Sequence, residues 1–302
     1  MATLVNYIDC TAGARKGTGV LGCKIPTGIP DGFIAVSKTW EFNPAEEDFN
    51  ETYQKLQVQK GLWFPFNNAV DFNENNEDTQ FKTYNTGIKL PTREGLPELE
   101  FVYSNEYSWH SAVYTFNGYG NYNIILVWKN NVIGVATKPD GTLTGLSAGY
   151  LNVKPFKNSN GSDPAETMIG FQLTDGFQYN SKMSLIEGDV NGFNVKNLKG
   201  ALDAKITVPV VPANAATTVS VKVVAEFNPS IVVKGLTVDD FKVTGKTVSA
   251  AVYNSATELY DLTTSAFATA DVFKLSLNDG TYDIVETATG AQYKGESKSY
   301  TV

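Results

Sequence analysis

Histidine is almost absent from this chain, which contains a single one, His110, in 302 residues. Histidine is the commonest general base near neutral pH, so the sequence contains few candidate residues of this kind for acid–base catalysis. His110 lies in the segment Glu106-Tyr-Ser-Trp-His-Ser, and its neighbour Ser111 stands in no recognisable nucleophile motif. We interpret His110 as a structural or surface histidine, and we predict no catalytic residue and no enzymatic activity.

Cysteine is scarce as well, since Cys10 and Cys23 are the only two. They bracket a glycine-rich segment, and both a disulfide that closes this loop and a pair of reduced thiols fit the spacing. A zinc site needs three or four protein ligands, and the one histidine is far along the chain. Residues 17–22 match the dinucleotide pattern GxGxxG but lack the surrounding strand–helix–strand unit. The sequence therefore predicts neither a metal nor a cofactor.

Long hydrophobic runs and an excess of basic charge are missing too. No stretch approaches the roughly 20 apolar residues of a membrane helix, and the N-terminus has no basic, apolar leader segment. Lys and Arg number 24 against 32 Asp and Glu, which gives a formal net charge of -8. Such a chain lacks the basic surface that neutralises nucleic-acid phosphates. We expect a soluble protein that has no membrane partner and binds no nucleic acid specifically.

What the sequence does contain is β structure, most clearly in residues 201–302. Short apolar segments with alternating polarity are separated there by Gly, Asn, Asp and Pro turns, a spacing typical of a β-sandwich or small barrel. We therefore predict that 201–302 form a separate, immunoglobulin-like β-sandwich domain. The segments are Ala204-Lys-Ile-Thr-Val-Pro-Val-Val, Thr218-Val-Ser-Val-Lys-Val-Val-Ala, Phe241-Lys-Val-Thr, Phe273-Lys-Leu-Ser-Leu and Thr281-Tyr-Asp-Ile-Val.

For residues 1–200 the sequence predicts a first β domain, of the sandwich or barrel type, with an N-terminal arm and one short helix. We expect Asn43 to cap this helix and Gly61 to end it, with its Glu and Gln side chains in water. An exposed loop is expected over residues 62–79. Turns are expected at Asn130-Asn131 and at Lys138-Pro-Asp-Gly. Strands are expected at Gln80-Phe-Lys-Thr-Tyr, Gly87-Ile-Lys-Leu, Leu99-Glu-Phe-Val-Tyr, Asn123-Ile-Ile-Leu-Val-Trp, Val132-Ile-Gly-Val-Ala-Thr, Tyr150-Leu-Asn-Val and Met168-Ile-Gly-Phe-Gln-Leu.

Several carboxylates lie close to aromatic residues in the sequence, and a sugar site is therefore an interpretation that the sequence leaves open. Their composition is that of a sugar cleft and equally that of an ordinary sheet with a polar face. The acidic segments 71–78 and 239–240 lack the spacing of a calcium loop, so we interpret them as solvated loops. The residues of the sugar-site interpretation are Glu98, Glu100, Glu106, Tyr103, Tyr107 and Trp109.

The organisation of the chain resembles that of bacteriophage tail tube proteins, also called major tail proteins. The matching features are the early helix over 43–60, the long loop after it, the hairpin Leu126-Val-Trp-Lys-Asn-Asn-Val-Ile-Gly-Val, the turn Pro139-Asp-Gly-Thr and the strand Gly170-Phe-Gln-Leu. The domain over 201–302 resembles the immunoglobulin-like modules that are appended to phage tail and capsid proteins.

This resemblance implies a sandwich-like or barrel-like subunit that assembles into rings, with six subunits expected in each. Stacked rings would form a tube for DNA in the virion, in contact with other tail proteins, and the acidic balance would let DNA pass without binding. The loop over 62–79 and the N-terminal arm would contact neighbouring subunits. The domain over 201–302 would project outwards and contact glycans or cell surfaces weakly.

Besides a glycoside-active enzyme that uses paired carboxylates, two alternatives remain open at the level of the sequence. The first is a different virion position, such as capsid decoration or the neck. The second is a surface glycan-binding module, in which exposed aromatic rings stack on sugars. The aromatic residues of this second reading are Trp109, Tyr114, Tyr119 and Tyr122.

Overall fold

The structure is a computed structural model that describes residues 7–9 and 29–302 except positions 94, 106, 182, 281, 282, 289 and 290. The fold is mainly β, with 45% of residues in strands and 12% in helices, and it is sandwich-like with a half-barrel among its sheets. The chain divides into two compact units, Met1–Leu198 and Lys199–Val302. Cys10, Cys23 and the segment 17–22 lie outside the described residues.

The first unit contains fourteen strands and four α-helices within the part of the chain that the structure describes. The prediction of a single helix is therefore wrong. The strands are β1 (Tyr7–Asp9), β2 (Pro30–Ser37), β3 (Trp63–Phe66), β4 (Asp71–Glu74), β5 (Gln80–Thr83), β6 (Lys89–Arg93), β7 (Glu98–Tyr103), β8 (Gly118–Tyr119), β9 (Tyr122–Trp128), β10 (Val132–Thr137), β11 (Leu143–Thr144), β12 (Leu146–Val153), β13 (Thr167–Leu173) and β14 (Met183–Glu187). The helices are α1 (Glu51–Gln59), α2 (Tyr107–Tyr114), α3 (Gly176–Ser181) and α4 (Gly188–Asn191).

One twelve-stranded sheet carries the first unit, in the order β1-β14-β10-β9-β12-β13-β7-β4, with β2 also bonded to β9 and β3. Because β9 pairs with β2, β10 and β12, the sheet bends back on itself and encloses a core. Alternate residues of β7 and β13 point inwards, as the period of two in a strand requires. The rings of Phe33, Phe101 and Phe171 meet there at centroid distances of 5.1 to 6.0 Å.

Helix α1 begins later than the sequence predicts. Asn50, and not Asn43, is its N-cap, because the Asn50 side chain accepts a hydrogen bond from the Tyr53 amide at 2.9 Å. Asn43 instead closes a turn by accepting from the Ala45 amide at 3.1 Å. The expectation that the glutamines face water is also wrong, since Gln54 is buried at 1% exposure.

Two strands, β3 and β4, lie within the segment 62–79 that was expected to be a loop. Strand β3 pairs with β2 and buries Trp63 and Phe66, and β4 pairs with β7. A proline interrupts the apolar run Trp-Phe-Pro-Phe. Proline is unusual inside a strand, and for this reason β3 was not predicted from the sequence. The expected strands over 80–84, 99–103, 123–128, 132–137, 150–153 and 168–173 are confirmed within a few residues, whereas that at Gly87–Leu90 corresponds to β6.

The second unit contains eleven strands within its described residues. Five of them, β19-β20-β16-β15-β24, form most of a larger sheet that β23 completes, and β17 is bonded to β16. Its core holds Val221, Val223, Tyr260, Leu262 and Phe273. The strands are β15 (Ala201–Thr207), β16 (Thr218–Ala225), β17 (Asn228–Val232), β18 (Phe241–Val243), β19 (Val248–Asn254), β20 (Leu259–Thr264), β21 (Val272–Phe273), β22 (Leu275–Leu277), β23 (Val285–Glu286), β24 (Gln292–Lys294) and β25 (Tyr300–Thr301).

Candidate assembly surface

A β-hairpin made of β5 and β6 projects from the strand pair β4 and β7. The backbone bonds Asn75 N to Glu98 O (2.8 Å) and Glu77 N to Leu96 O (3.2 Å) carry the β4–β7 pairing towards the hairpin. At its tip Tyr84 N donates to Ile88 O at 2.9 Å, and Gly87 has a φ of 80°. Only glycine adopts such a φ without strain, so Gly87 itself determines the position of this turn. The residues 80–93 are called the projecting hairpin below.

The projecting hairpin carries large apolar side chains in water. Tyr84, Ile88 and Leu90 share one face, because Lys82 pairs with Leu90 and side chains alternate along a strand. They are 45%, 57% and 50% exposed, and Phe81 on the opposite face is 58% exposed. The first face holds a groove of about 450 Å³. Its lining residues are Lys82, Thr83, Tyr84, Asn85, Thr86, Ile88 and Leu90.

This exposure is costly for an isolated strand pair. Two strands alone are only marginally stable in water, and three or more strands or a packed face are normally needed. All four residues of β5 are exposed, and the two-stranded sheet has no further strand among the described residues. Each large side chain is about half exposed, so covering it would contribute roughly half of the 1.5 to 3 kcal/mol of full burial. A surface of this kind is typical of a protein–protein contact.

The charge of the projecting hairpin is opposite to that of the chain. It contains Lys82, Lys89 and Arg93 and no acidic residue, whereas the whole protein has a net charge of -8. The Lys82 ammonium lies 5.4 Å from the centre of the Tyr84 ring, a cation–π contact on the groove face. The hairpin therefore fits an acidic partner surface better than a basic one.

His110 is structural in its surroundings. It lies on α2 at 6% exposure, with Nδ1 3.2 Å from the Thr167 hydroxyl. The rings of Tyr107, Tyr114 and Phe156 surround it at 5.2 to 6.1 Å. Helix α2 was not predicted from the sequence, because Tyr-Ser-Trp-His is a weak helix-forming run.

The two described carboxylates of the sugar-site interpretation, Glu98 and Glu100, lie side by side on β7 and each contacts a side chain of another strand or loop. Glu100 is paired with Lys154, and Glu98 accepts a hydrogen bond from the Tyr150 hydroxyl at 3.2 Å. Burial, and next the nearby Glu98 carboxylate, raises the pKa of Tyr150 above its ordinary value. Glu106 lies outside the described residues. Each of the two described carboxylates thus already has a partner.

The aromatic residues of the glycan reading are divided between core and surface. Trp109 and Tyr122 pack against the core of the first unit. Tyr114 is 54% exposed on α2, and Tyr119 is 85% exposed on β8, where its ring meets that of Tyr150. The four rings therefore do not form one stacking platform.

The acidic segments form no metal site in the described part of the chain, where no group of three or more potential ligands comes together. Asp240 instead accepts hydrogen bonds from the backbone and hydroxyl of Thr237, at 2.6 and 2.8 Å, and so caps a 3-10 turn. Among the helices that the structure describes, none is long and apolar enough to cross a membrane.

Comparison with known proteins finds no matching family, no matching curated protein and no matching solved structure. The resemblance to tail tube proteins therefore remains a prediction from the sequence.

Proposed function

We propose that this protein is a structural virion subunit that assembles with copies of itself into stacked rings, forming a tube of the phage-tail type for DNA. Six subunits are expected in each ring, other tail proteins would bind the ends of the tube, and DNA would pass without specific contacts. The role is architectural and requires no catalysis. The domain over 201–302 would lie outside the conduit and make weak contacts with glycans or cell surfaces.

The projecting hairpin carries this proposal. It presents apolar side chains on both faces, and it extends by about 13 Å along β5 alone at the usual rise per residue. The residues that the structure describes leave Phe81, Ile88 and Leu90 at least half exposed. A second subunit that covers them would remove a marginally stable strand pair from water, and the resulting contact repeats from copy to copy.

Charge favours a further copy of the same chain as the partner. A hairpin with three basic and no acidic residues meets an acidic surface on any other copy, because the remainder of each copy carries the negative excess. A contact between one patch and a different patch is heterologous, and such contacts generate rings or filaments instead of closed dimers. Rings and tubes are thus the expected products.

The test compares the wild-type protein with two matched variants by negative-stain electron microscopy and sedimentation. We expect rings or tubes of uniform diameter from the wild type. Ile88→Asp places a carboxylate in the groove and should abolish them, whereas Val190→Asp should not. Ile88 is 57% exposed and Val190 on α4 is 55% exposed, so the same chemical change is made at equal exposure.

The outcomes of this test distinguish the tube subunit from the alternative functions. Normal tubes from Ile88→Asp would remove the hairpin from the assembly. A wild-type protein that stays monomeric at every concentration and binds glycans would overturn the structural proposal in favour of a binding module. Closed rings that never stack would favour the neck or the capsid surface as the virion position.

A further inference from the structure

Strand β19 forms one edge of the larger sheet in the second unit. It pairs with β20 on one side over Val248–Asn254. On its other side, the described residues contribute no backbone hydrogen bond to it. An edge strand of seven residues presents a row of free amide and carbonyl groups, which is a template for another strand.

Beyond the register shift between Val248 and Ala250, the sequence of β19 lacks the features that normally protect an edge. Val-Ser-Ala-Ala-Val-Tyr-Asn contains no charged residue and no proline. The other outlying strands of the same sheet are protected, since β17 contains Pro229 and β23 has two residues only. The protection is therefore absent at one edge and present at the others.

We propose that β19 pairs antiparallel with β19 of a second copy of this chain, across a two-fold axis at Val252. A register shift interrupts the β19–β20 pairing between Val248 and Ala250, so the regular part of the strand is 250–254 and its midpoint is Val252. In this arrangement Val252 faces Val252 of the second copy, and Ala251 faces Tyr253. The two strands then join two sheets into one.

The side chains of β19 complement their own two-fold copies. Val252 is 62% exposed on the outer face and would be covered by its equivalent, a pair of β-branched residues that suits adjacent strands. On the inner face, small Ala251 stands opposite large Tyr253, and both already pack against the core. Small residues opposite large ones fill the space between strands without strain.

Strand β19 itself brings no charge to this contact although the chain is acidic. The nearest carboxylate in the Val252 row is Asp261 on β20, which accepts a hydrogen bond from Ser220 at 2.5 Å. Two strand spacings and the new junction separate it from its copy, about 14 Å at 4.7 to 4.9 Å per spacing. That distance exceeds the Debye length of about 8 Å at physiological salt. The uncharged strand can thus pair with its copy, whereas two edges of like charge would repel each other.

This pairing is independent of the projecting hairpin and of the tube. It joins copies through their second units, whichever way the first units assemble. It uses main-chain hydrogen bonds for affinity and alternate side chains for register, the usual mode of strand addition.

Disulfide trapping in the full-length chain tests the proposal. Val252→Cys is made in a background in which Cys10 and Cys23 are serine, with Val210→Cys as the matched control. Val210 belongs to the same unit and is 75% exposed, so random collisions favour the control. Opposed residues of antiparallel strands lie about 4.5 to 5.5 Å apart, within disulfide reach. We expect at least about tenfold more crosslinked dimer from Val252→Cys.

A second pair of variants checks the association itself. Val252→Lys places two ammonium groups opposite each other and should lower the dimer population measured by sedimentation equilibrium in the Ile88→Asp background, while Val210→Lys should not. Equal crosslinking of the two cysteine variants, or dimers that survive Val252→Lys, would overturn the proposal. Dimers lost equally in both lysine variants would do the same.

Discussion

Asn131 shows how one side chain fixes a segment that the sequence leaves irregular. It lies in the turn between β9 and β10 with a φ of 59°, as expected for the Asn130-Asn131 turn. Its amide donates to the Phe193 carbonyl at 2.7 Å and to Asp189 at 2.8 Å, and its side-chain oxygen accepts from the Val195 amide at 2.9 Å. One turn residue thus holds the end of the first unit, residues 188–198, against β10.

We predict that Asn131→Ala lowers the free energy of unfolding of the first unit by about 3 kcal/mol. Lost hydrogen bonds cost about 1 kcal/mol each, and alanine is strained at positive φ. All four tryptophans lie in this unit, so urea unfolding followed by tryptophan fluorescence reports it alone. Asn131→Gly, which keeps the backbone, should lose less. Asn130→Ala should change little, and an equal loss there would contradict this assignment.

Lys246 is the corresponding fixed point of the second unit. Its ammonium donates to Asp271 at 2.6 Å and to the Ala266 carbonyl at 2.7 Å, and it lies 5.2 Å from the centre of the Phe267 ring. The hydrogen bond from Lys246, and next that from the Ala268 amide, holds the pKa of Asp271 below its ordinary value. The carboxylate is therefore bound more favourably in its charged form.

We predict that this pair makes the second unit lose stability in acid. The folded pKa is below the unfolded one, so the contribution is complete above the unfolded value, about 4, and is lost as the pH falls through the folded value. Calorimetry across this range should show a weaker decline for Asp271→Asn than for the wild type. Asp239→Asn, at an exposed site, serves as the control and should follow the wild type. An unchanged decline in Asp271→Asn would show that other groups cause it.

At the scale of elements, strands were predictable where local pattern and burial agree. The run Ile124–Trp128 is continuously apolar and rich in β-branched residues, and it forms most of the centrally placed β9. Strand β19 was missed because its two alanines weaken the β pattern, and it gains its conformation from pairing with β20. Helix α1 was placed too early because Asn43 and Asn50 are both good caps, and packing of Phe49 under the helix selects the second.

The projecting hairpin was predictable as two strands but not as a surface. Its segments alternate in polarity like those of a core strand, and this pattern does not show whether their apolar side chains are covered. Strands β4 and β7 end at the sheet while β5 and β6 continue beyond it, and only that difference leaves Phe81 and Leu90 in water. This exposed apolar surface is thus a property of strand length relative to the sheet.

At the scale of the whole molecule, the two compact units have separate cores. The first has its own packed aromatic centre, and the second is built on β16 and β20 with no described core residue in common. Separate cores allow separate roles, and we propose tube assembly for the first unit and strand pairing for the second. A domain with its own core is in principle able to fold alone.

We predict that a chain ending at Gly200 still forms tubes, because the projecting hairpin and its sheet lie wholly within the first unit. Asn67 donates to the Leu198 carbonyl at 3.1 Å, so the cut preserves the last contact of that unit. Electron microscopy measures the tubes, and tryptophan fluorescence verifies the fold of the shortened chain. Folded protein without tubes would place the second unit within the assembly interface.

The sequence by itself determined the mainly β class, the turns at Asn131 and Gly141, and the scarcity of groups suited to acid–base chemistry. These follow from composition and from backbone preferences that act over a few residues, such as the φ of 88° at Gly141. Only the tertiary structure decided which apolar strands are covered and which edges stay open. Burial depends on contacts between residues far apart in the chain, such as β2 with β9, and alternation of polarity alone carries no information about them.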